Sequence, residues 1–343
     1  MAGSLELHVI NVQQGHALLA LGPDGTTILI DGGKSGKGSS ELAPYLAQRG
    51  YPDGAQLDYM IASHLDADHI GGLTTLIDTH GYDVGTAIYD NGSTKAGAFV
   101  SDFKSATAST TAGPAKAIGL GTVIELGGGA TATAVAVHSD VLGHGSVPVS
   151  NENDLSVAML IQHGDFDFIV AGDLGGGDDD SACTGRVHSS ADIETPLAQV
   201  LTGAGGTLGP GGVEAMMVNH HGSHSSTNAA WFDRLSPSVA VIGVGPNGYG
   251  HPRQAVVDNV LGATAACVGA PPALVLQTDE GDVGHGAESL QGHVVGDVVF
   301  TTTGTGTYAV TASGAITSGP DERVAAGLPA TLTMDEGPGG PGG

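Results

Sequence analysis

His64, Asp66, Asp68 and His69 stand within six consecutive residues, His64-Leu65-Asp66-Ala67-Asp68-His69, and Gly71-Gly72 follow at once. Neutral imidazoles and carboxylates at this density suit Zn²⁺, and also Mn²⁺ or Fe²⁺. The order pairs His64 with Asp66 and Asp68 with His69, which suits two adjacent ions better than one. The apolar run Leu57-Asp58-Tyr59-Met60-Ile61-Ala62-Ser63 before them predicts a buried strand. The glycine pair with Leu73-Thr74-Thr75-Leu76-Ile77 predicts the start of a helix. A strand end delivers side chains to a rim, and the turn after it folds the four groups toward one point.

The elements around this run repeat one pattern. Strands are expected at Leu5 to Ile10, Ala17 to Leu21 and Thr26 to Ile30, the last two joined by the turn Gly22-Pro23-Asp24-Gly25. A helix over Glu41 to Arg49 precedes the strand at 57–63, and a helix over about 72–80 follows it. A short strand at 86–89 and a helix within 96–117 come next. Strands are then expected at 122–126, 132–137, 155–163 and 167–171, with a loop insertion over 174–192. Helices at 193–201, 228–235 and 254–261 alternate with strands at 215–219, 239–244 and 273–277. Strands at 297–302 and 307–311 finish the series. This is an α/β (α+β) chain, and two mixed sheets packed face to face with helices outside is the natural arrangement. One domain over residues 1–318 is expected, because both halves must close one site. Residues 319–343 turn Gly/Pro-rich and acidic and predict a flexible tail.

Composition narrows the class. The 343 residues carry 10 Lys and Arg against 36 Asp and Glu, a formal charge of −26, so the surface repels polyanions at long range. Aromatics are 4% and apolar residues 40%, so the core must rest on Ala, Val, Leu and Ile. No run of 18 apolar residues occurs, so no membrane span is expected. The first residues lack the basic and apolar segments of a signal peptide, and Cys183 and Cys267 form no ligand or disulfide framework, which together favour a cytoplasmic setting. No obligate protein partner is indicated.

The spacing of residues 64 to 69 resembles the signature of the metallo-β-lactamase superfamily, His-x-[His/Asp]-x-Asp-His. With Asp66 in the third place and Gly71-Gly72 behind, it is similar to the nuclease-like domain of the competence protein ComEC. Further stretches agree in the same order: Leu29-Ile30-Asp31-Gly32-Gly33, Asn153-Asp154-Leu155-Ser156, Ile169-Val170-Ala171-Gly172-Asp173, His220-His221-Gly222-Ser223 with Ser225-Ser226, and Tyr249-Gly250-His251-Pro252. The resemblance implies a four-layer αββα sandwich. It also implies that Asp173 bridges two metals, and that His221 is the last metal histidine. His220 would then line the substrate side, with the two imidazoles exchangeable. Asp173 read without the resemblance has a helix N-cap as its lesser alternative.

Other residues are given supporting roles. Asp31, at a strand end, is expected to orient a metal histidine by accepting its free ring N–H. His251 is expected at the rim, as a phosphate contact or a general acid. Ser223, Ser225, Ser226 and Thr227 offer donors to phosphate oxygens. Two features depart from the resembled pattern. Where most such enzymes have a third histidine for the first metal, the chain reads Ser150-Asn151-Glu152-Asn153-Asp154, as the narrower group also does at Asn153. The first site is then left with His64, Asp66 and Asp173, which opens Mn²⁺ beside Zn²⁺. In Val12-Gln13-Gln14-Gly15-His16, His16 stands where the group has Asp, and either adds a metal-side imidazole or alters substrate contacts. The remaining histidines are read as structural or exposed.

The expectation for function is a hydrolase with two divalent ions, Zn²⁺ first and Mn²⁺ second, that activate a hydroxide against a phosphodiester. Asp68, His220 and His251 carry the catalytic roles, and DNA or RNA is the substrate that the resemblance implies. The alternatives are a lactone, β-lactam or small-phosphodiester hydrolase of the same fold, and a non-catalytic binding module.

Overall fold

The computed structural model describes residues 3–149, 151–177, 190–208, 211–253, 256, 272, 274–282, 294–313 and 328–334. Among them, nine strands form a first sheet in the order Ala330–Thr333, Thr307–Ala312, Val298–Thr302, Leu5–Val9, Leu18–Leu21, Thr27–Ile30, Gln56–Ile61, Asp83–Asp90 and Lys116–Ala117. The pairings are antiparallel up to Thr27–Ile30 and parallel beyond it. The second sheet runs Gly145–Ser146, Asp140–Val141, Ala130–Val137, Ala158–His163, Phe166–Val170, Ala215–Met217, Val239–Ile242 and Leu274–Gln277, with Val123–Gly127 also paired to Ala130–Val137. It too is mixed, with its last four strands parallel.

Side-chain alternation explains why the sheets stack. Leu5, Leu7 and Val9 of the first sheet and Phe166, Phe168 and Val170 of the second join one buried cluster between the layers. The opposite face of the first sheet, with Leu19 and Leu29, packs against Leu46, Leu73, Leu76 and Phe103 from its helices. The outer face of the second sheet, with Leu160 and Ile169, packs against Leu197, Leu201, Trp231 and Phe232. The expected four-layer αββα sandwich is therefore the fold.

The differences from expectation lie at element ends. The metal-motif helix spans Ala67–His80, so Asp68 and His69 occupy its first turn instead of preceding it. Asp66 has the extended backbone of an N-cap, but its carboxylate makes no capping bond. Gly71 and Gly72 lie inside the helix. Their role is close approach: a Cβ on Gly72 would come within 1.7 Å of the Gly32 carbonyl oxygen. The helix thus lies directly on the loop after Thr27–Ile30, and the Gly72 N–H bonds the Gly33 carbonyl at 2.8 Å. The helix expected from Glu41 begins earlier, at Ser35, and passes through a wide turn at Gly38–Leu42 into Ala43–Gln48. Residues 153–155 form a 3₁₀ turn instead of the start of a strand.

Within the stretch expected to be a tail, Ala330–Thr333 adds an edge strand to Thr307–Ala312, and Met334 joins the inter-sheet core. Residues 319–327 and 335–343, most of the 174–192 insertion, the helix expected at 254–261 apart from Val256, and both cysteines lie outside the described residues.

Gly72→Ala should lower stability by at least about 2 kcal/mol in urea unfolding, because overpacking here meets backbone and not a yielding side chain. Gly36→Ala, where nothing lies within 4 Å of the added carbon, should be neutral or slightly stabilising. Equal effects of the two changes would show that the helix does not depend on this contact.

Candidate metal centre

Each site residue stands where a strand ends at one rim of the sandwich. Asp31 follows Thr27–Ile30, His64 follows Gln56–Ile61, Asp173 follows Phe166–Val170, and His220 and His221 follow Ala215–Met217. The His64 loop of the first sheet meets the second sheet through the Val157 N–H, which donates to the Ser63 carbonyl at 2.8 Å.

Asp173 is the centre of the arrangement and is 4% exposed. Its Oδ1 lies 3.2 Å from His69 Nε2 and 3.5 Å from His221 Nε2. Its Oδ2 lies 3.5 Å from His220 Nε2 and 3.9 Å from His64 Nε2. The two oxygens sort four imidazoles into two pairs. Asp66 Oδ2 stands 3.8 Å from His64 Nε2, on the Oδ2 side. Asp68 brings a carboxylate oxygen within 4.8 Å of ligand nitrogens of His69 and His221, on the Oδ1 side.

The far side of each ring is anchored. His221 Nδ1 donates to the Gly243 carbonyl at 2.8 Å, and His69 Nδ1 donates to Asp31 Oδ2 at 2.8 Å. Asp31 is itself held by the Ser63 N–H and hydroxyl, each at 2.7 Å. His64 Nδ1 faces the hydroxyls of Ser63 and Ser156 at 3.2 and 3.3 Å. These bonds leave the Nε2 atoms of His64, His69 and His221 buried with no hydrogen-bond partner, and Asp173 Oδ1 likewise. Orphaned buried polar atoms are rare because each costs desolvation free energy. Several aimed at one point fit a cation-binding centre, and hydrogen bonds behind the rings are the usual means of orienting metal ligands.

Electrostatics agree. Burial holds His64 well below the usual histidine range, with His69 adding to the effect. Burial also disfavours a charged His69, but the carboxylates of Asp173 and Asp31 outweigh it and push its pKa well above normal. Burial would raise Asp173, yet His220, His69 and His221 hold it well below the carboxylate range.

The backbone conforms to the site at some strain. Asp31, His220 and His221 adopt φ of 58°, 51° and 53°, a region that non-glycine residues rarely occupy. Glu194 secures the histidine loop: its carboxylate accepts from Asn219 Nδ2, Thr227 N and Asn228 N at 2.6–2.7 Å. Glu152 plays the same part on the other side, accepting from Leu65 N, Asn91 Nδ2 and Ser93 Oγ. Lys95 places its ammonium against Asp66 Oδ1. Neither glutamate carried a motif that would single it out. The Glu194 contacts span 25 positions or more, and the Glu152 contacts more than 55.

Gln14, Asp66, Asp68, Asn153, Asp173, His220, His221, Tyr249 and His251 line a cavity of about 200 Å³ over the centre. His251 reaches it as expected, with its ring 5.3 Å from that of His220, and burial, followed by His221, pushes its pKa down to about 2. Asn153 Nδ2 lies 3.2 Å from His220 Nε2. Ser223 and Ser226 do not face this cavity. Ser226 Oγ donates to the carbonyls of Asn219 and Ser223, and Ser223 Oγ pairs with Ser225 Oγ, so these hydroxyls knit the loop. Thr227 is fully buried beside them. His16, 2% exposed, packs its ring 4.3 Å from that of His221.

Residues 10–151 match the family model described as the metallo-beta-lactamase superfamily. Among curated proteins, the chain is 25% identical over 274 residues to ComE operon protein 3 of Bacillus subtilis (strain 168), covering 74% of this chain and 30% of that protein. It is 24% identical over 260 residues to Recombination protein 2 of Haemophilus influenzae, covering 74% of this chain and 26% of that protein. The chain thus spans less than a third of the length of these relatives. Among solved structures, the metallo-beta-lactamase fold protein YhfI from Bacillus subtilis aligns over 71% of this chain and 88% of its own, at 14% identity and a TM-score of 0.41. Residues 10–151 thus resemble the metallo-β-lactamase superfamily, and the two mixed sheets with helices outside are consistent with its sandwich fold.

Asp31→Asn keeps the shape but turns an amide toward the His69 ring N–H. Competition against a chelating dye should show metal affinity reduced by roughly 10–100-fold, with the far-UV circular dichroism unchanged. Unaltered affinity would remove Asp31 from the site.

Proposed function

We propose that the chain is a two-metal phosphodiesterase that cleaves nucleic acid strands without sequence preference. The observation that carries this reading is the placement of positive charge. Three of the ten Lys and Arg residues contact residues that line the cavity. Lys95 contacts Asp66, Lys34 sits 5.6 Å over the Tyr249 ring, and Arg253 donates to the Tyr249 carbonyl. In a chain of formal charge −26, a cationic rim at this one cavity suits a phosphate backbone. Tyr249, 56% exposed at the same rim, offers a face on which a base can stack. The name of the relative Recombination protein 2 also suits a DNA substrate.

His64, Asp66 and Asp173 would hold one ion, with His220 3.5 Å from Asp173 on the same side as an available fourth donor. Asp68, His69, His221 and the Oδ1 of Asp173 form the set for the other. Two divalent ions would supply an activated water and charge neutralisation at the scissile phosphate; Zn²⁺ suits the donors first and Mn²⁺ second. Asn153 Nδ2 stands against the same His220 Nε2 and would have to yield it for His220 to bind an ion. His251, neutral and buried, is suited to a hydrogen bond and not to a fixed positive charge. Lys34, Arg253 and Tyr249 hold the strand. The overall acidity favours a second reading, hydrolysis of a lactone, β-lactam or small phosphodiester.

A gel assay with Mn²⁺, Mg²⁺ or Zn²⁺ should show slow cleavage of single-stranded DNA, abolished by chelation. Asp68→Ala should reduce the rate at least about a hundredfold. Intact DNA and RNA alongside turnover of a lactone, β-lactam or nitrophenyl phosphodiester would establish the second reading instead.

The rim gives a separate expectation. Lys34→Glu with Arg253→Glu should raise KM for DNA about tenfold or more while leaving nitrophenyl phosphodiester hydrolysis within about twofold, since phosphate contacts beyond the reacting one exist only for a polymer. A parallel loss on both substrates would place these residues at the reacting phosphate.

A further inference from the structure

His16 is a buried polar side chain beside the centre that the donor sets above leave unused. It is 2% exposed, and neither ring nitrogen has a hydrogen-bond partner. A neutral imidazole carries one donor and one acceptor, so burying both unpaired is unfavourable. Burial, reinforced by His221 and His69, also holds it well below the usual histidine range. The ring is not placed for packing alone. It stands 4.3 Å from the ring of His221 and 5.4 Å from that of His69. One of its nitrogens lies within 4.8 Å of ligand atoms of Asp173 and His221.

The backbone fixes it there. The His16 carbonyl accepts from Gly33 N at 3.0 Å. A Cβ on Gly15 would lie 2.6 Å from the Asp68 carbonyl oxygen, so this turn rests directly on the first turn of the metal-motif helix. His16 therefore sits at a set distance from Asp68 and His69. A grouping of His16 with Asp31 and His69 is also compact, but Asp31 is already engaged by Ser63 and by the His69 ring N–H. The open direction for His16 is toward Asp173 and His221.

We infer that His16 is a metal ligand on the Oδ1 side of Asp173, giving that site three imidazoles, His16, His69 and His221, with the carboxylates of Asp68 and Asp173. It rests on the two-metal part of the proposed function and not on the substrate. Five protein donors on one side against four on the other make this the site that fills first and releases last. The other site, with His64, Asp66 and His220, is then the exchangeable one, and it lies on the side of Lys95.

X-ray absorption on wild-type protein loaded with one equivalent of Zn²⁺ should fit three imidazole ligands. His16→Leu, which fills a similar volume without a donor, should fit two and weaken the first equivalent by roughly a hundredfold in chelator competition. His16→Asp should restore much of that affinity. Two imidazoles in the wild type, or His16→Leu binding the first equivalent as tightly as wild type, would overturn the assignment while leaving the two-metal reading intact. Failure of the wild type to bind any metal would overturn both.

Discussion

A buried carboxylate surrounded by imidazoles sets the terms for this molecule. Asp173 is nearly inaccessible to water and ionised, and a buried anion is stable only beside positive charge. Of its neighbours, His64 and His16 are held neutral by burial, while His69 is pushed toward its protonated form by Asp173 and Asp31. The positive charge that Asp173 and Asp31 draw onto His69 marks the point where a divalent ion held by these residues would supply more charge.

The rest of the fold serves to hold that cluster against its own strain. Three site residues adopt left-handed backbone, and strained conformations persist only where the surroundings over-determine them. Glu194 spans the two ends of the histidine loop, Glu152 ties the His64 loop to residues 91–93, and Gly72 lets a helix rest on the Asp31 loop with no side chain between them. These are tertiary contacts, and each couples a loop of the site to a rigid element. The rim is precise because the sandwich behind it is packed from both sheets.

The run from His64 to His69 could be read directly, because its chemistry lies in residue types at short spacing. The strands were legible too, since apolar alternation is local. The errors have a common cause. The helix start at Ala67 was placed too late because Asp66 sends its carboxylate to Lys95 and not to the backbone, so no capping signature marks it. Gly71 and Gly72 mark the helix start in sequence, but in the fold they lie inside the helix, where they permit close approach to the Asp31 loop. Ala330–Thr333 is too short and too polar to announce itself, and becomes a strand only where Thr307–Ala312 offers an edge. Ser223 and Ser226 carry the same hydroxyls whether they face substrate or their own loop, and only the folded loop decides.

Under the proposed function, an acidic chain and an anionic substrate would be reconciled by distance. At physiological ionic strength, exposed charges act over about 8 Å, so most of the −26 would be screened from a strand seated at the cavity. What such a strand would meet is local: the carboxylates of Asp66, Asp68 and Asp173, and the cations Lys34, Lys95 and Arg253. Two divalent ions would outweigh the three carboxylates and leave the rim net positive. The same ions that supply the chemistry would then also admit the substrate, so an acidic surface and a nuclease site are compatible where loading precedes binding.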